Sequence, residues 1–343
     1  MRRKRMGSFI LCMSLLMTGC SGKYEEEKRL TDKNLKIGVC TYDQFDTFIS
    51  SMVEDFKTAA KQKEYETGAS IAVEVVSAGG KQNVQNDQVS DFIDNGADIL
   101  CVNMADRTDA TMIIDKAKNA GVPVIFFNRE LVQEDIERWD KLYYVGSEPV
   151  KSGILQGEIV TELCSDEDGM ALYDRNGDGK LQYVMLEGEA GHQDALIRTE
   201  YSVDTIIEAG IPLEKLGDEI ANWSRAQAQT KMNLWLGEFG DKIELVLANN
   251  DDMALGAIDA WKEYGKSPLP IVVGVDGTEE AKEAIREGTL AGTVINDAEG
   301  QARSMLELAY SLHFHTELPE NIELLEDTYI RLPHRIVTAG DLE

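Results

Sequence analysis

The chain has 343 residues, 43% of them hydrophobic, and a formal net charge of -28. That length exceeds what one hydrophobic core usually supports, so two domains or one large α/β unit are expected. The charge excludes nucleic acid and anionic membrane surfaces as partners, because both are polyanions that a protein approaches with Lys and Arg; a neutral or cationic ligand is expected.

Arg2, Arg3, Lys4 and Arg5 precede FILCMSLLM, an apolar run too short to span a bilayer, and the pair reads as an export signal over residues 1–19. It ends in MTGC, which resembles the lipobox of bacterial lipoproteins, with Met17 where Leu is usual. The resemblance implies a lipid on Cys20 and anchoring to the outer face of the cell membrane. Residues 20–35 are polar and charged, suited to a flexible tether. Cys12 falls in the signal. Cys40, Cys101 and Cys164 are an odd set, the first two inside apolar runs, so buried free thiols are expected rather than a disulfide framework or a metal site.

From Lys36 onward, short runs rich in Val and Ile alternate with segments of helical period. The runs are KIGVCTY, SIAVEVV, ADILCVNM, VPVIFFN, LYYVG, LQYVMLEG, IELVLANN, PIVVGVD and LAGTVIND. Between them lie helical segments such as FISSMVEDFKTAAKQ, ATMIIDKAKNAG, SGILQGEIVTELC and DMALGAIDAWKEYG. Strands without polar alternation, each followed by a helix, predict parallel sheets covered on both faces. Nine such units are too many for one ordinary doubly wound sheet, which supports two domains.

Polar residues recur where these strands end: Asn103, Asn128, Asn250, Asp276 and Asn296, with Asp46 in the loop after the first. Ligands of open parallel sheets bind just beyond the carboxyl ends of the strands. Asn and Asp are also common N-caps, so each residue alone has a structural reading; the recurrence across both half-chains carries the functional one. Carboxylates accept hydrogen bonds and Asn amides both donate and accept, which suits a ring of hydroxyls. Phe48 and Trp223 are candidate stacking faces. An amino-acid ligand would need partners for two opposite charges, whereas Asp46, Asp194 and Asp276 accompany one good cation, Arg198; a neutral polyol fits best. Arg198 follows Asp194 by one helical turn, so the two side chains point the same way.

The stretch DRNGDGKLQ, Asp174 to Gln182, spaces its oxygen-bearing side chains like an EF-hand calcium loop, but Met185 stands where the closing bidentate Glu belongs.

Taken together, YDQFDTF, FFNRE, YYVGSE, GEAGHQDALIR, IELVLANNDDMALGA, VVGVDGTEEA and AGTVINDAEGQA resemble successive blocks of the bacterial galactose/glucose-binding proteins, which feed sugar ABC importers. The resemblance spans residues 36 to 340. It implies two Rossmann-like domains with parallel sheets, joined by a three-strand hinge, with the ligand in the cleft. By position it implies sugar contacts from Asp46, Phe48, Asn103, His192, Asp194, Arg198, Trp223, Asn250, Asp276 and Asn296, with Phe48 and Trp223 sandwiching the pyranose. It also implies a structural calcium held by Asp174, Asn176, Asp178, the Lys180 carbonyl and Gln182, with Glu244 from a separate strand as the missing ligand. Domains are placed at 36–126 plus 297–327 and at 127–296 plus 328–343, the latter carrying the calcium loop.

The implied function is capture of D-galactose or D-glucose by hinge closure and delivery to a permease, by a monomer touching the membrane only through its lipid. A receptor for a pentose or glycoside, serving chemotaxis or a sensor kinase, is the alternative. The carboxylates could suggest a glycosidase pair, but no nucleophile motif, phosphate-binding Gly loop or zinc-type cluster accompanies them, and a binding protein rather than an enzyme is expected. LacI-type repressors share the core but carry a helix-turn-helix where this chain has a signal and an acidic tether.

Overall fold

The computed structural model describes residues 33–266 and 268–342, so the export signal, Cys20 and the start of the tether lie outside the described residues. The apolar runs become two six-stranded sheets. The first contains β1 (Asn34–Thr41), β2 (Ser70–Ser77), β3 (Ile99–Val102), β4 (Val124–Phe127), β5 (Leu142–Ser147) and β11 (Tyr329–Leu332), in the order β11-β5-β4-β3-β1-β2, all parallel. The second contains β6 (Leu181–Glu187), β7 (Leu213–Ile220), β8 (Leu245–Ala248), β9 (Ile271–Asp276), β10 (Gly292–Ile295) and β12 (Arg335–Val337), in the order β12-β10-β9-β8-β6-β7, parallel except for β12.

Each sheet has helices on both faces. The first lobe carries α1 (Thr47–Thr67), α2 (Gln82–Asp94), α3 (Thr111–Ala120) and the short α4 (Gln133–Ile136). The second carries α5 (Pro149–Leu163), α6 (Glu167–Tyr173), α7 (Gln193–Glu208), α8 (Arg225–Glu238), α9 (Asp251–Tyr264) and α10 (Glu279–Arg286). The chain then returns to the first lobe as α11 (Ala298–Phe314), packed on α1 with a Lys63–Glu307 ion pair at 2.6 Å. Every residue of β3, β4 and β8 is buried, as a strand covered on both faces must be. In the first sheet Ile37 and Ile125 pack toward Phe56 and Met305, while Leu100 and Phe126 face Val89 and Ile113. Cys40, Cys101 and Cys164 are free and buried, as expected.

In both sheets the order reverses beside the first strand, between β1 and β3 and between β6 and β8. These switch points open a crevice at the strands' carboxyl ends, where loops from both lobes meet. The chain passes between lobes three times, after β5, after β10 and between β11 and β12, and these crossings form the three-strand hinge.

The expected division between 126 and 127 and between 327 and 328 is corrected here: β5 hydrogen bonds to β4, and β11 to β5, so both belong to the first sheet. The first crossing falls after Ser147 and the last after Leu332. No apolar break marks either place, which is why the pattern put the boundary one strand early. The strand β7, absent from the expected runs, is the polar LEKLGDEI at a sheet edge, where half-exposed positions take charged residues.

Candidate ligand-binding cleft

One pocket between the lobes is lined by Tyr42, Asp46, Phe48, Asn128, Arg129, His192, Asp194, Arg198, Trp223, Asn250, Asp276 and Asn296. Nine of the ten expected sugar-contacting residues are in that set. Asn103 is not: fully buried, its side chain accepts from the Tyr42 amide at 3.3 Å and donates to the Phe127 carbonyl at 3.2 Å and to Asn128 Oδ1 at 3.1 Å. It props Asn128, the next strand-end Asn, which takes the place at the wall that was expected of Asn103. Tyr42 and Arg129 were missed. The signal for Arg129 was its position directly after the strand-end Asn128, where a single Arg reads as a solvated charge.

Capping and lining prove to be one role. Asp46 caps α1 by accepting from Ile49 N at 2.9 Å, and Asn250 caps α9 by accepting from Met253 N at 3.0 Å. His192 caps α7 through Nδ1, which accepts from Asp194 N at 3.1 Å, leaving the proton on Nε2 as a donor. The helix starts therefore fix these side chains before any ligand arrives. Backbone conformation adds to the fixation: Asn128, Trp223 and Asp276 have φ of 61°, 61° and 126°, a region non-glycine residues avoid. Such values persist only where the surroundings over-determine them, and three occur in this one wall.

Arg198, 4% exposed, is the centre of the second lobe's side. Its Nε donates to Ser152 Oγ at 3.1 Å, Nη1 to the Asn249 carbonyl at 2.9 Å and Nη2 to Asp194 at 3.3 Å; Asp276 stands 4.0 Å away. Burial pushes the carboxyls of Asp46, Asp194 and Asp276 upward, Asp276 well above the usual range, with Arg198 opposing and Asp251 reinforcing the shift at Asp276. Burial and nearby Arg129 and Arg198 push His192 well below the usual imidazole range, so it stays neutral. Across the cleft, Tyr42 donates to Asp46 at 2.6 Å, and the Arg129 guanidinium lies 3.7 Å over the Tyr42 ring.

Two aromatic side chains from opposite lobes, Phe48 and Trp223, complete the wall. Trp223 meets His192 edge-on at 5.0 Å and lies against Gly188. The arrangement presents fixed acceptors, a guanidinium fork, a neutral imidazole N–H and apolar faces. These groups hydrogen-bond and stack; no nucleophile with an adjacent base stands among them.

The Asp174–Gln182 loop has the folded shape of a cation loop. Asp174 accepts from Gly177 N and Gly179 N, each at 2.7 Å, and Glu244, 1% exposed, sits beneath, accepting from Arg175 N at 2.6 Å and Gln182 N at 3.1 Å. Gln182 bridges Asn176 and Asp178 at 2.8 and 3.0 Å. Among the described residues, no three His, Cys, Asp or Glu side chains converge as a metal-holding group. A cation here would draw on neutral oxygens as well; an all-oxygen set with a buried carboxylate fits a hard ion such as calcium.

A polar cleft between two doubly wound lobes is the architecture of a two-lobed binding protein. Residues 37–314 match the periplasmic binding protein domain. The chain is 36% identical over 309 residues, 90% of each protein, to the D-galactose/methyl-galactoside binding periplasmic protein MglB of Haemophilus influenzae. It is 32% identical over 303 residues to a putative rhizopine-binding protein of Rhizobium meliloti, with 88% of each covered. Among solved structures it resembles an ABC transporter solute-binding protein of Bacillus halodurans C-125 with bound myo-inositol, at TM-score 0.74 and 30% identity, covering 90% of this chain and 96% of that one. The chain belongs to the type 1 periplasmic binding proteins, as an extracytoplasmic substrate-binding protein of the sugar ABC transporter kind. These relatives bind and do not catalyse.

A Cβ added at Gly188 would lie 2.1 Å from Trp223 Cζ2, so Gly188→Ala must displace the indole. Gly188 lacks positive φ, and the backbone tolerates Ala. The expected result is an affinity loss of about tenfold or more, the worth of roughly one stacking contact, with unchanged circular dichroism. Titration calorimetry measures it, and unchanged affinity would place Trp223 outside the binding contacts.

Proposed function

We propose that the chain captures a hexose, D-galactose or D-glucose, and delivers it by lobe closure to the permease of an ABC importer. The observation that carries this reading is the cleft wall, in which Asp194 and Asp276 stand beside Arg198 and the same lining includes the aromatic rings of Phe48 and Trp223. A pyranose is a ring of hydroxyls with apolar C–H faces, and it uses both kinds of surface. Polar groups from both lobes bond one ligand only when the lobes are together, so ligand stabilises the closed form by its differential contacts. The likeness to the Haemophilus influenzae protein supports a hexose. The likeness to the myo-inositol complex makes a cyclitol the second reading, because its hydroxyl ring would meet the same donors.

Asp46 does not choose between the epimers. Each of its oxygens already holds one donor, Ile49 N and the Tyr42 hydroxyl, leaving one acceptor site on each for a hydroxyl of either orientation. Unfolding of the protein with D-galactose, D-glucose, D-ribose, xylitol or myo-inositol separates the readings. Ligand at about one hundred times its dissociation constant adds about 2.7 kcal/mol of stability. A rise with a hexose alone is expected; a rise with myo-inositol alone would replace the hexose by a cyclitol.

We further propose a structural calcium in the Asp174–Gln182 loop, closed by Glu244. Binding would tie α6, β6 and the start of β8 together, away from the cleft. Calcium is expected to raise the unfolding temperature of the wild type and not of Glu244→Gln; an equal response would exclude this site. A lipid on Cys20 would anchor the receptor to the outer face of the cell membrane, and mass spectrometry of the mature chain decides whether Cys20 carries one.

A further inference from the structure

Among the described residues and away from the hinge, two hydrogen bonds join the lobes directly, outside the residues that line the cleft on the second lobe's side. Arg129 Nη2, from the loop after β4, donates to Glu189 Oε2 at 2.5 Å in the loop after β6. Thr47 Oγ1, the first residue of α1, donates to Asp252 Oδ2 at 2.6 Å in the first turn of α9. The Glu189 side chain is 42% exposed and the Thr47–Asp252 bond lies at the surface, so the second bond sits at the rim and the first runs from Arg129, buried in the cleft wall at 5% exposed, out to it.

Arg129 is prepared for this contact by its own lobe. Nη1 donates to the Ala105 carbonyl at 2.9 Å and the guanidinium plane rests on Tyr42, so one edge remains to meet the opposite lobe. A side chain held in place beforehand loses little conformational freedom when the pair forms. Opening must break both bonds, and the acidic side of each pair then returns to water.

We propose that Arg129–Glu189 and Thr47–Asp252 form a two-point latch across the mouth of the cleft. The latch draws the lobes together before ligand binds and slows ligand release afterward. The proposal rests on the hinged-binding reading but not on the identity of the ligand. Because Glu189 is half exposed, the ion-pair arm weakens with ionic strength while the hydroxyl arm does not.

The test uses the full chain with 5-fluorotryptophan, in which Trp223 reports the cleft and Trp139, Trp235 and Trp261 serve as controls. In the ligand-free protein, the double variant Thr47→Ala with Glu189→Gln is expected to move the Trp223 fluorine resonance away from its ligand-saturated position and leave the controls in place. Raising sodium chloride from about 50 to about 500 mM should move the wild-type resonance in the same direction, and that of Glu189→Gln much less. With D-galactose as probe, the double variant should release ligand about tenfold faster, the effect of losing two weak contacts. A Trp223 resonance indifferent to both substitutions and salt would overturn the latch, whether or not D-galactose binds. Failure of D-galactose alone would instead count against the hexose reading.

Discussion

A buried guanidinium organises the second half of this protein. Arg198 cannot shed its charge, and a cation removed from water needs acceptors on every side. Ser152, the Asn249 carbonyl and Asp194 supply them, and Asp276 stands just beyond hydrogen-bonding reach at 4.0 Å. Meeting that need brings α5, α7 and the ends of β8 and β9 to one point. Gly153 is part of the same constraint, because a Cβ there would lie 3.2 Å from Arg198 Cα. The geometry that satisfies the guanidinium is the geometry that aims carboxylates into the cleft.

The arrangement costs stability. Carboxyls driven upward by burial are groups whose charged forms fold unwillingly, and Asp251 behind Asp276 adds like charge, offset by bonds from Thr293 at 2.6 Å and Thr278 N at 2.8 Å. Positive φ at Asn128, Trp223 and Asp276 lies in the same wall. Strain of both kinds sits where hydroxyl groups would relieve the unmet polarity, and the two closed cores on each sheet hold it in place.

Most of the fold was legible because its strands are continuous apolar runs with a helix after each, a pattern few architectures share. The failures have physical causes. Residues 213–220 were unread because an edge strand is half solvated, and the lobe boundary slipped because a crossing strand looks like any other. In the cleft, Asp46 and Asn250 were legible because a helix start at a strand end is both cap and wall, whereas His192, also a cap, was named only through the family resemblance. Asn103 was misplaced because the sequence cannot tell a residue at the wall from one a layer behind it, propping Asn128. Arg129 was missed for the opposite reason: its contacts with Tyr42 and Glu189 are distant in sequence, and only folding assembles them.

The central claim is that carboxyl groups are held in the cleft against their own preference for water, for the benefit of the ligand. Thermal unfolding of Asp276→Asn, with and without the sugar that stabilises the wild type most, tests it directly. Burial holds the folded-state pKa of Asp276 well above that of the unfolded chain, so at neutral pH the folded wild type either keeps the charge against burial or takes up a proton, and in both cases its stability falls as pH rises from the unfolded value of about 3.9 toward the folded one. The neutral Asn escapes that cost, and no hydrogen bond to Arg198 is lost. The account predicts a ligand-free variant at least as stable as wild type that gains nothing from sugar. A variant that is less stable without ligand, yet still stabilised by it, would contradict the account and make Asp276 a partner of the fold alone.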